Sequence, residues 1–263
     1  IETMDNSDFE IVTHIHDDNG TELTFSITFP VNNSLGYSAT AGAVFYMNPK
    51  TRSNRQGNRQ EIVNEIDGTV IDGLWENMNW GNDGWQSDED GNRALRLMAG
   101  SLLEMNYAPF SAECARTGKT FEIDYKIDNV TDYSEPVITI SSPSGDSFVG
   151  LNIYADDIIM HTQSLKEDSV QSLHTFEGKR TRLTLTVLPN AYGHSELNLC
   201  ILYINGRKNR EFTYEDNDYF AHSGNIVIGS DYADVDVYGI REYNSGLTSQ
   251  GVLRNLINWL VTT

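Results

Sequence analysis

Residues 199–243 constrain the fold more tightly than any other part of this chain. Leu199, Ile201 and Tyr203 alternate with Cys200, Leu202 and Ile204, and the run stops at Asn205-Gly206. That pair favours a two-residue hairpin turn, because both positions tolerate positive φ. Ile226 and Ile228 flank Val227 and end at Gly229-Ser230. Val235, Val237, Gly239 and Arg241 then share one face of a last run, with Asp236, Tyr238 and Ile240 on the other. Side chains that alternate with period two are the mark of strands. The connections between these runs are read as too short for crossover helices, which predicts an antiparallel sandwich rather than βαβ units.

The pattern Tyr203-Ile-Asn-Gly206, then Ile228-Gly-Ser230, then Asp236-Val-Tyr238 and Ile240-Arg-Glu-Tyr243 resembles the closing strands of concanavalin A-like jelly rolls. These form the laminin-G-like group of lectins and glucanases. The resemblance extends upstream through residues 75–107 and 121–130, about two thirds of the chain. In detail it is similar to modules of bacteriophage virion and tail proteins and of bacterial surface proteins, which implies an extracellular or virion-associated setting. One sandwich of this kind hosts lectins, lyases, hydrolases and inert spacers, so function has to be argued from the site.

Of 263 residues, 38 are Asp or Glu and 18 are Lys or Arg, a formal charge of −20. That balance argues against nucleic acid or an anionic membrane as partner. No run of 18 apolar residues exists, so membrane insertion by a helix is not expected. The opening Ile1 is read as the start of a processed or excised form. Cys114 and Cys200 make no disulfide framework; a bridge between them is left open, and Cys200 fits a small buried thiol in a strand.

The expected architecture is all-β: an antiparallel jelly-roll β-sandwich with an N-terminal hairpin and a short C-terminal helix. Residues 1–30 read as the hairpin, packed on or leading into a main domain of residues 31–263. Its turn is Asp17-Asp-Asn-Gly20, and Leu23, Phe25, Ile27 and Phe29 alternate after it. Further strands are expected at 94–98, 102–107, 121–128, 137–140, 148–154, 158–163 and 182–188. The period then changes: Val252, Leu253, Leu256, Ile257 and Leu260 form a helical stripe that begins at Thr248 or Ser249 and is expected to cover an open end of the sandwich.

For catalysis the candidates are Glu122 and Asp124. In the laminarinase-type hydrolases that the resemblance brings in, a Glu-x-Asp strand is followed by a second Glu on the same face. Here that position falls at Lys126 or Ile127, and Asp128 lies about 20 Å beyond Glu122 along an extended strand. A retaining mechanism needs carboxyl groups about 5 Å apart. Both acids are therefore read as solvent-facing strand positions. Lyase chemistry through Tyr154, His161, Tyr192 and His194 rests on residue type alone. His14 and His16 lack a third metal ligand in sequence and read as surface histidines. Arg52, Arg55 and Arg59 are read as pairing with carboxylates in preference to clamping an anion.

Calcium is the expected ion. Asp83, Asp88, Glu89, Asp90 and Asn92 crowd a glycine-punctuated loop, and Ca²⁺ takes six to eight oxygens of this kind. The spacing resembles part of an EF-hand loop without its distal Glu. The metal ligands expected there are Asp83, Asp88, Asp90 and Asn92; Asp156-Asp157 and Asp216 with Asp218 are weaker pairs. Beside them stand Trp80, Asn82 and Trp85, aromatic and amide groups of the type that stack on sugar rings and bind their hydroxyls. Trp75 is assigned to the core.

Three functions fit. The first is a non-catalytic carbohydrate-binding or adhesion module whose partner is a surface glycan or polysaccharide. The second is a structural or oligomerisation module of a phage appendage, which leaves a homo-oligomer open. The third is a glycoside hydrolase or polysaccharide lyase. A lectin predicts Trp80 or Trp85 exposed beside a groove; a spacer predicts both buried. A hydrolase predicts a second acid, and a lyase a Tyr/His pair, within reach of Glu122 and Asp124.

Overall fold

The computed structural model describes residues 9–16, 22–29, 42–51, 54, 60–107, 118–141, 150–161, 168–171, 176–195, 197–215 and 225–262. Two compact units emerge, Ile1–Ala41 and Gly42–Thr263. The first holds β1 (Phe9–His16) and β2 (Glu22–Phe29), an antiparallel hairpin in which Phe9 pairs with Phe29 and His16 with Glu22.

The second unit begins with β3 (Ala43–Met47), β4 (Ile62–Val63), β5 (Val70–Ile71), β6 (Gly73–Glu76) and β7 (Gly84–Ser87). Next come β8 (Arg93–Leu97), β9 (Leu102–Met105), β10 (Lys119–Asp128), β11 (Ile138–Ser141) and β12 (Gly150–Ile153). β13 (Asp157–His161), β14 (Asp168–Gln171), β15 (Thr181–Pro189) and β16 (Leu197–Ile204) follow. β17 (Arg207–Glu215), β18 (Asn225–Ile228), β19 (Asp234–Tyr243) and an α-helix, α1 (Ser249–Thr262), are the last elements among the described residues.

These strands form two large antiparallel sheets. The eight-stranded sheet runs β17-β16-β15-β10-β19-β8-β7, with β3 alongside the far half of β19. The seven-stranded sheet runs β14-β13-β12-β11-β18-β9-β6. β4 and β5 make a separate small hairpin. The protein is thus the all-β antiparallel sandwich, with a short C-terminal helix, that the alternation predicts.

The pleat decides which residues meet. From β10, Phe121, Ile123, Tyr125 and Ile127 enter the core, as do Leu183, Leu185 and Val187 of β15 and Val235, Val237 and Ile240 of β19. The opposing sheet supplies Leu103, Met105, Ile138, Ile140, Leu151, Ile153, Ile226 and Ile228. Apolar groups leave water on one face of each sheet, which is the main favourable term in assembling the sandwich. A bulge interrupts the centre: Asp124 lies opposite Gly239 and Tyr125 opposite Val237, so Tyr238 has no register partner.

Helix α1 packs differently from expectation. Rather than closing an open end, it lies on the outer face of the eight-stranded sheet. Val252 joins Ile201 and Tyr203 in a second apolar cluster, and a Cβ on Gly206 would meet Leu256 at 2.6 Å. The reason is that Asn255, beside that stripe, matches polar groups on this face. The Thr248 hydroxyl accepts the Gly251 N–H at 3.3 Å, so Thr248 is the cap.

Candidate functional site

Glu122 and Asp124 point outward from β10 but do not face solvent. Glu122 is 0 % exposed, and its cross-strand neighbours are Arg241 and Thr184. Arg241 Nε is 3.3 Å from the Glu122 carboxylate, the Asn255 amide reaches both carboxylate oxygens at 3.3 Å, and the Thr184 hydroxyl donates at 3.4 Å. The same Asn255 amide donates to the Tyr243 hydroxyl at 3.0 Å. Burial raises the Tyr243 pKa, and the neighbouring Glu122 adds to the rise.

Asp124 accepts both arms of Arg180, at 3.0 and 2.8 Å, with Arg182 Nη2 at 3.5 Å. Burial pulls the Arg182 pKa down to about 10 against the opposing pull of Asp124 and Glu122, so it remains a cation near neutrality. The guanidinium of Arg180 stacks 4.0 Å over the ring of Tyr238, the residue at the bulge. Two acids, the buried Arg241 and Arg182 and the half-buried Arg180 thus form an ionic layer, which α1 covers through Asn255 at Glu122 and Arg182. The solvent-facing assignment of the two acids is corrected. Strand alternation gives their direction, but not the arginines and helix that cover them.

The acidic loop separates into distinct roles. Asp83 is 1 % exposed, and its oxygens accept the Asn79 N–H at 2.6 Å, the Met98 N–H at 2.7 Å and the Ser101 hydroxyl at 2.8 Å. It ties three segments together. Asp88 accepts the Asn92 N–H, the Asn92 amide and the Tyr238 hydroxyl at 2.7–2.9 Å. Burial works to raise its pKa, but hydrogen bonds from the Asn92 side chain, Tyr238 and the backbone outweigh it and hold the carboxyl below the usual range. Asp90 is exposed and Asn92 half-buried. Among the described residues no three His, Cys, Asp or Glu side chains converge as a metal site.

Trp85 belongs to β7, opposite Leu95, and packs against the core; its indole N–H is buried with no hydrogen-bond partner among the described residues. Trp75 also packs on the core and donates to the Gln60 carbonyl at 2.9 Å. Trp80 is half-buried, 5.3 Å from the Trp75 ring and seated over Gly84, while Asn82 is exposed. Trp80 and Asn82 therefore sit in the loop that Asp83 braces, whereas Trp85 lies on the inward side.

The outer face of the seven-stranded sheet is treated differently. Cross-strand pairing lines up Leu74, Glu104, Val227, Thr139 and Asn152, each half-buried or exposed. Next to this row a groove of about 460 Å³ opens. Leu102, Val227 and Thr139 line it from the sheet, with Pro136 beside them. Glu76 at the end of β6 and Asn77, Glu135 and Asp231 from three loops bring polar groups. Its walls are tightly joined: Gly100 N–H donates to Ser230 O at 2.9 Å and Gly229 N–H to Val137 O at 2.8 Å. Asn77 donates to Gly100 O at 3.2 Å. Ser101 connects this frame to Asp83, and its hydroxyl also lies 3.2 Å from Asn77 O. Sequence reasoning missed this groove.

A smaller cleft of about 200 Å³ holds charges that are already paired. Arg96 makes a two-armed contact with Asp236 at 2.7 and 2.6 Å, and Lys126 lies 2.7 Å from Asp128. Cys200 is buried in β16. Tyr192 and His194 are exposed in one turn, and Tyr154 is half-buried. Cys114, Arg52, Arg55, Arg59, Asp216 and Asp218 lie outside the described residues, as do the side chains of His14, His16 and His161.

Fold and grooves together define a two-sheet β-sandwich with one outer face closed by ion pairs and a helix and the other carrying an open groove. No protein-family model matches the sequence, and no curated protein matches it. Solved structures with a similar fold include the receptor-binding domain of botulinum neurotoxin D. The TM-score is 0.59 at 16% identity, over 85% of this chain and 54% of that one. The binding domain of botulinum neurotoxin DC, in complex with rat synaptotagmin II, gives 0.58 at 10%, over 83% and 52%. A botulinum neurotoxin type C structure, described as dependent on two ganglioside molecules for cell entry, gives 0.55 at 12%, over 83% and 51%. At these identities the likeness is one of fold. The chain spans about half the length of the chains it matches. Among the described residues no helix is long and apolar enough to cross a membrane.

Proposed function

We propose that this chain is a non-catalytic carbohydrate-binding or adhesion module of an extracellular or virion-associated assembly. The observation that carries this reading is the unequal treatment of the two outer faces. Glu122 and Asp124, the acids best placed for glycoside chemistry, are committed to Arg241, Arg180 and Arg182, and Asn255 of α1 covers Glu122 and Arg182. The other face keeps an open groove, and Ser101 on its wall donates to Asp83, the residue that braces the neighbouring loop carrying Trp80 and Asn82. A sugar ring needs an apolar surface and a few fixed polar groups, and the residues there are of that kind. The fold likeness to neurotoxin binding domains, one of them described with gangliosides, supports the same reading.

The test is a glycan array on the wild type and on Trp80→Ala and Asn82→Ala, with and without EDTA. Binding that weakens in both variants supports the reading, and a further loss in EDTA would assign calcium to the 83–92 loop. An array with no binding at all would transfer the chain to a structural role in an assembly.

A further inference from the structure

We infer that the groove on the seven-stranded sheet is a sugar site selective for neutral or amino-bearing glycans, and that it turns away sialylated, uronate and sulfated ones. This rests on the carbohydrate reading above and deepens it. Three observations carry it. First, the groove combines an apolar floor, Leu102 and Val227 with Pro136, and hydroxyl and amide groups at Thr139 and Asn77. Apolar contact with a pyranose face plus convergent polar groups is what sugar recognition uses.

Second, the charged side chains lining the groove are all acidic: Glu76, Glu135 and Asp231. Elsewhere in the protein the buried acids are committed, Glu122 and Asp124 to arginines, Asp236 to Arg96 and Glu242 to Lys119 and the Tyr107 hydroxyl. The three groove acids are exposed and make no hydrogen bond or ion pair among the described residues. Carboxylates are acceptors only, so they suit sugar hydroxyls and ammonium groups and repel a ligand carboxylate or sulfate.

Third, the frame is preorganised. Gly229 has φ +111°, and a Cβ there would stand 2.2 Å from Ser101 O. The 76–77, 100–102 and 229–231 segments are therefore held at close approach, through Ser101 and Asp83, before any ligand arrives. A rigid site loses less entropy on binding than one that must be ordered.

The experiment measures binding of neutral, amino-bearing and sialylated or sulfated oligosaccharides on an array, followed by titration calorimetry with the best ligand. Proteins are the wild type, the double variant Glu135→Gln/Asp231→Asn, and Thr139→Tyr, which fills the groove; each is checked for an unchanged melting temperature. The wild type should prefer neutral or amino sugars. The double variant should bind the best ligand about tenfold more weakly, from lost charge-assisted hydrogen bonds, and discriminate less against anionic glycans. Thr139→Tyr should abolish binding. Wild-type binding that both variants retain in full would overturn the groove while leaving the carbohydrate reading intact. A wild type that prefers anionic glycans would overturn the charge selection. No binding to any glycan would overturn both.

Discussion

Glu122 and Arg241 face one another on neighbouring strands at the centre of the eight-stranded sheet, 3.3 Å from carboxylate to guanidinium, with both side chains sealed from water. They are 119 residues apart in sequence, and Asn255, further along again, completes the arrangement. A buried pair of this kind is costly to break and cheap to replace as a whole.

Glu122→Ala should therefore destabilise the protein by about 3–5 kcal/mol, because it leaves a buried guanidinium without its counter-charge. The joint replacement Glu122→Leu/Arg241→Met should recover most of that loss. Urea unfolding of the three proteins checks both. A catalytic Glu122 would instead show little change in stability.

Tyr125 lies in the core, and its hydroxyl has no hydrogen-bond partner among the described residues. Burial raises its pKa, with Asp124 adding to the rise. A buried donor without a partner is a standing cost, so Tyr125→Phe should stabilise the protein by about 1 kcal/mol. Thermal unfolding should show a rise in melting temperature. A fall would mean the hydroxyl is satisfied.

Gly229→Ala should destabilise by at least about 3 kcal/mol, since it combines a left-handed φ with a clash against backbone. The neighbouring Ser230→Ala leaves that backbone free of the clash and should cost far less. Denaturation midpoints of the two variants, measured side by side, make the comparison.

The pH dependence of stability should carry a contribution from Asp88. Its folded pKa lies below the usual value, so its stabilisation is complete above the unfolded pKa and is lost as pH falls through the folded one. Stability should therefore decline below about pH 4. Asp88→Asn, which removes the titrating carboxyl and keeps one accepting oxygen for the Asn92 N–H, should flatten that decline without removing it. An unchanged slope would exclude Asp88.

Much of the fold was legible because alternation survives in single strands. Phe121, Ile123, Tyr125 and Ile127 declare β10, and Asn205-Gly206 declares the β16–β17 hairpin with φ of 50° and 74° at the two residues. β17 was not legible. Its Arg-Lys-Asn-Arg opening is exposed at a sheet edge, and four polar residues in a row give no apolar alternation to read. β7 was hidden in the acidic Trp loop for a related reason, since a four-residue edge strand gives too few repeats to read.

The site was less legible than the fold. Asp83 stands out by composition, but its donors come from residues 79, 98 and 101, and no local motif announces that convergence. The groove is drawn from segments near 76, 101, 136 and 229, brought together only by the order β11-β18-β9-β6. Helix α1 was placed by its apolar stripe, but its docking face was set by Asn255, a residue outside that stripe.

The position of β19 carries a consequence for synthesis. This strand, at residues 234–243, lies between β10 on one side and β8 and β3 on the other, so until it is in place the eight-stranded sheet exists only as three parts, β17-β16-β15-β10, β8-β7 and β3. During translation, β10 must therefore wait for more than a hundred further residues before its second neighbour emerges. Until then one edge of β10 and one edge of β8 are unpaired templates for foreign strands. Slow, late closure with exposure to misassociation is the expected behaviour of a nascent chain with this topology.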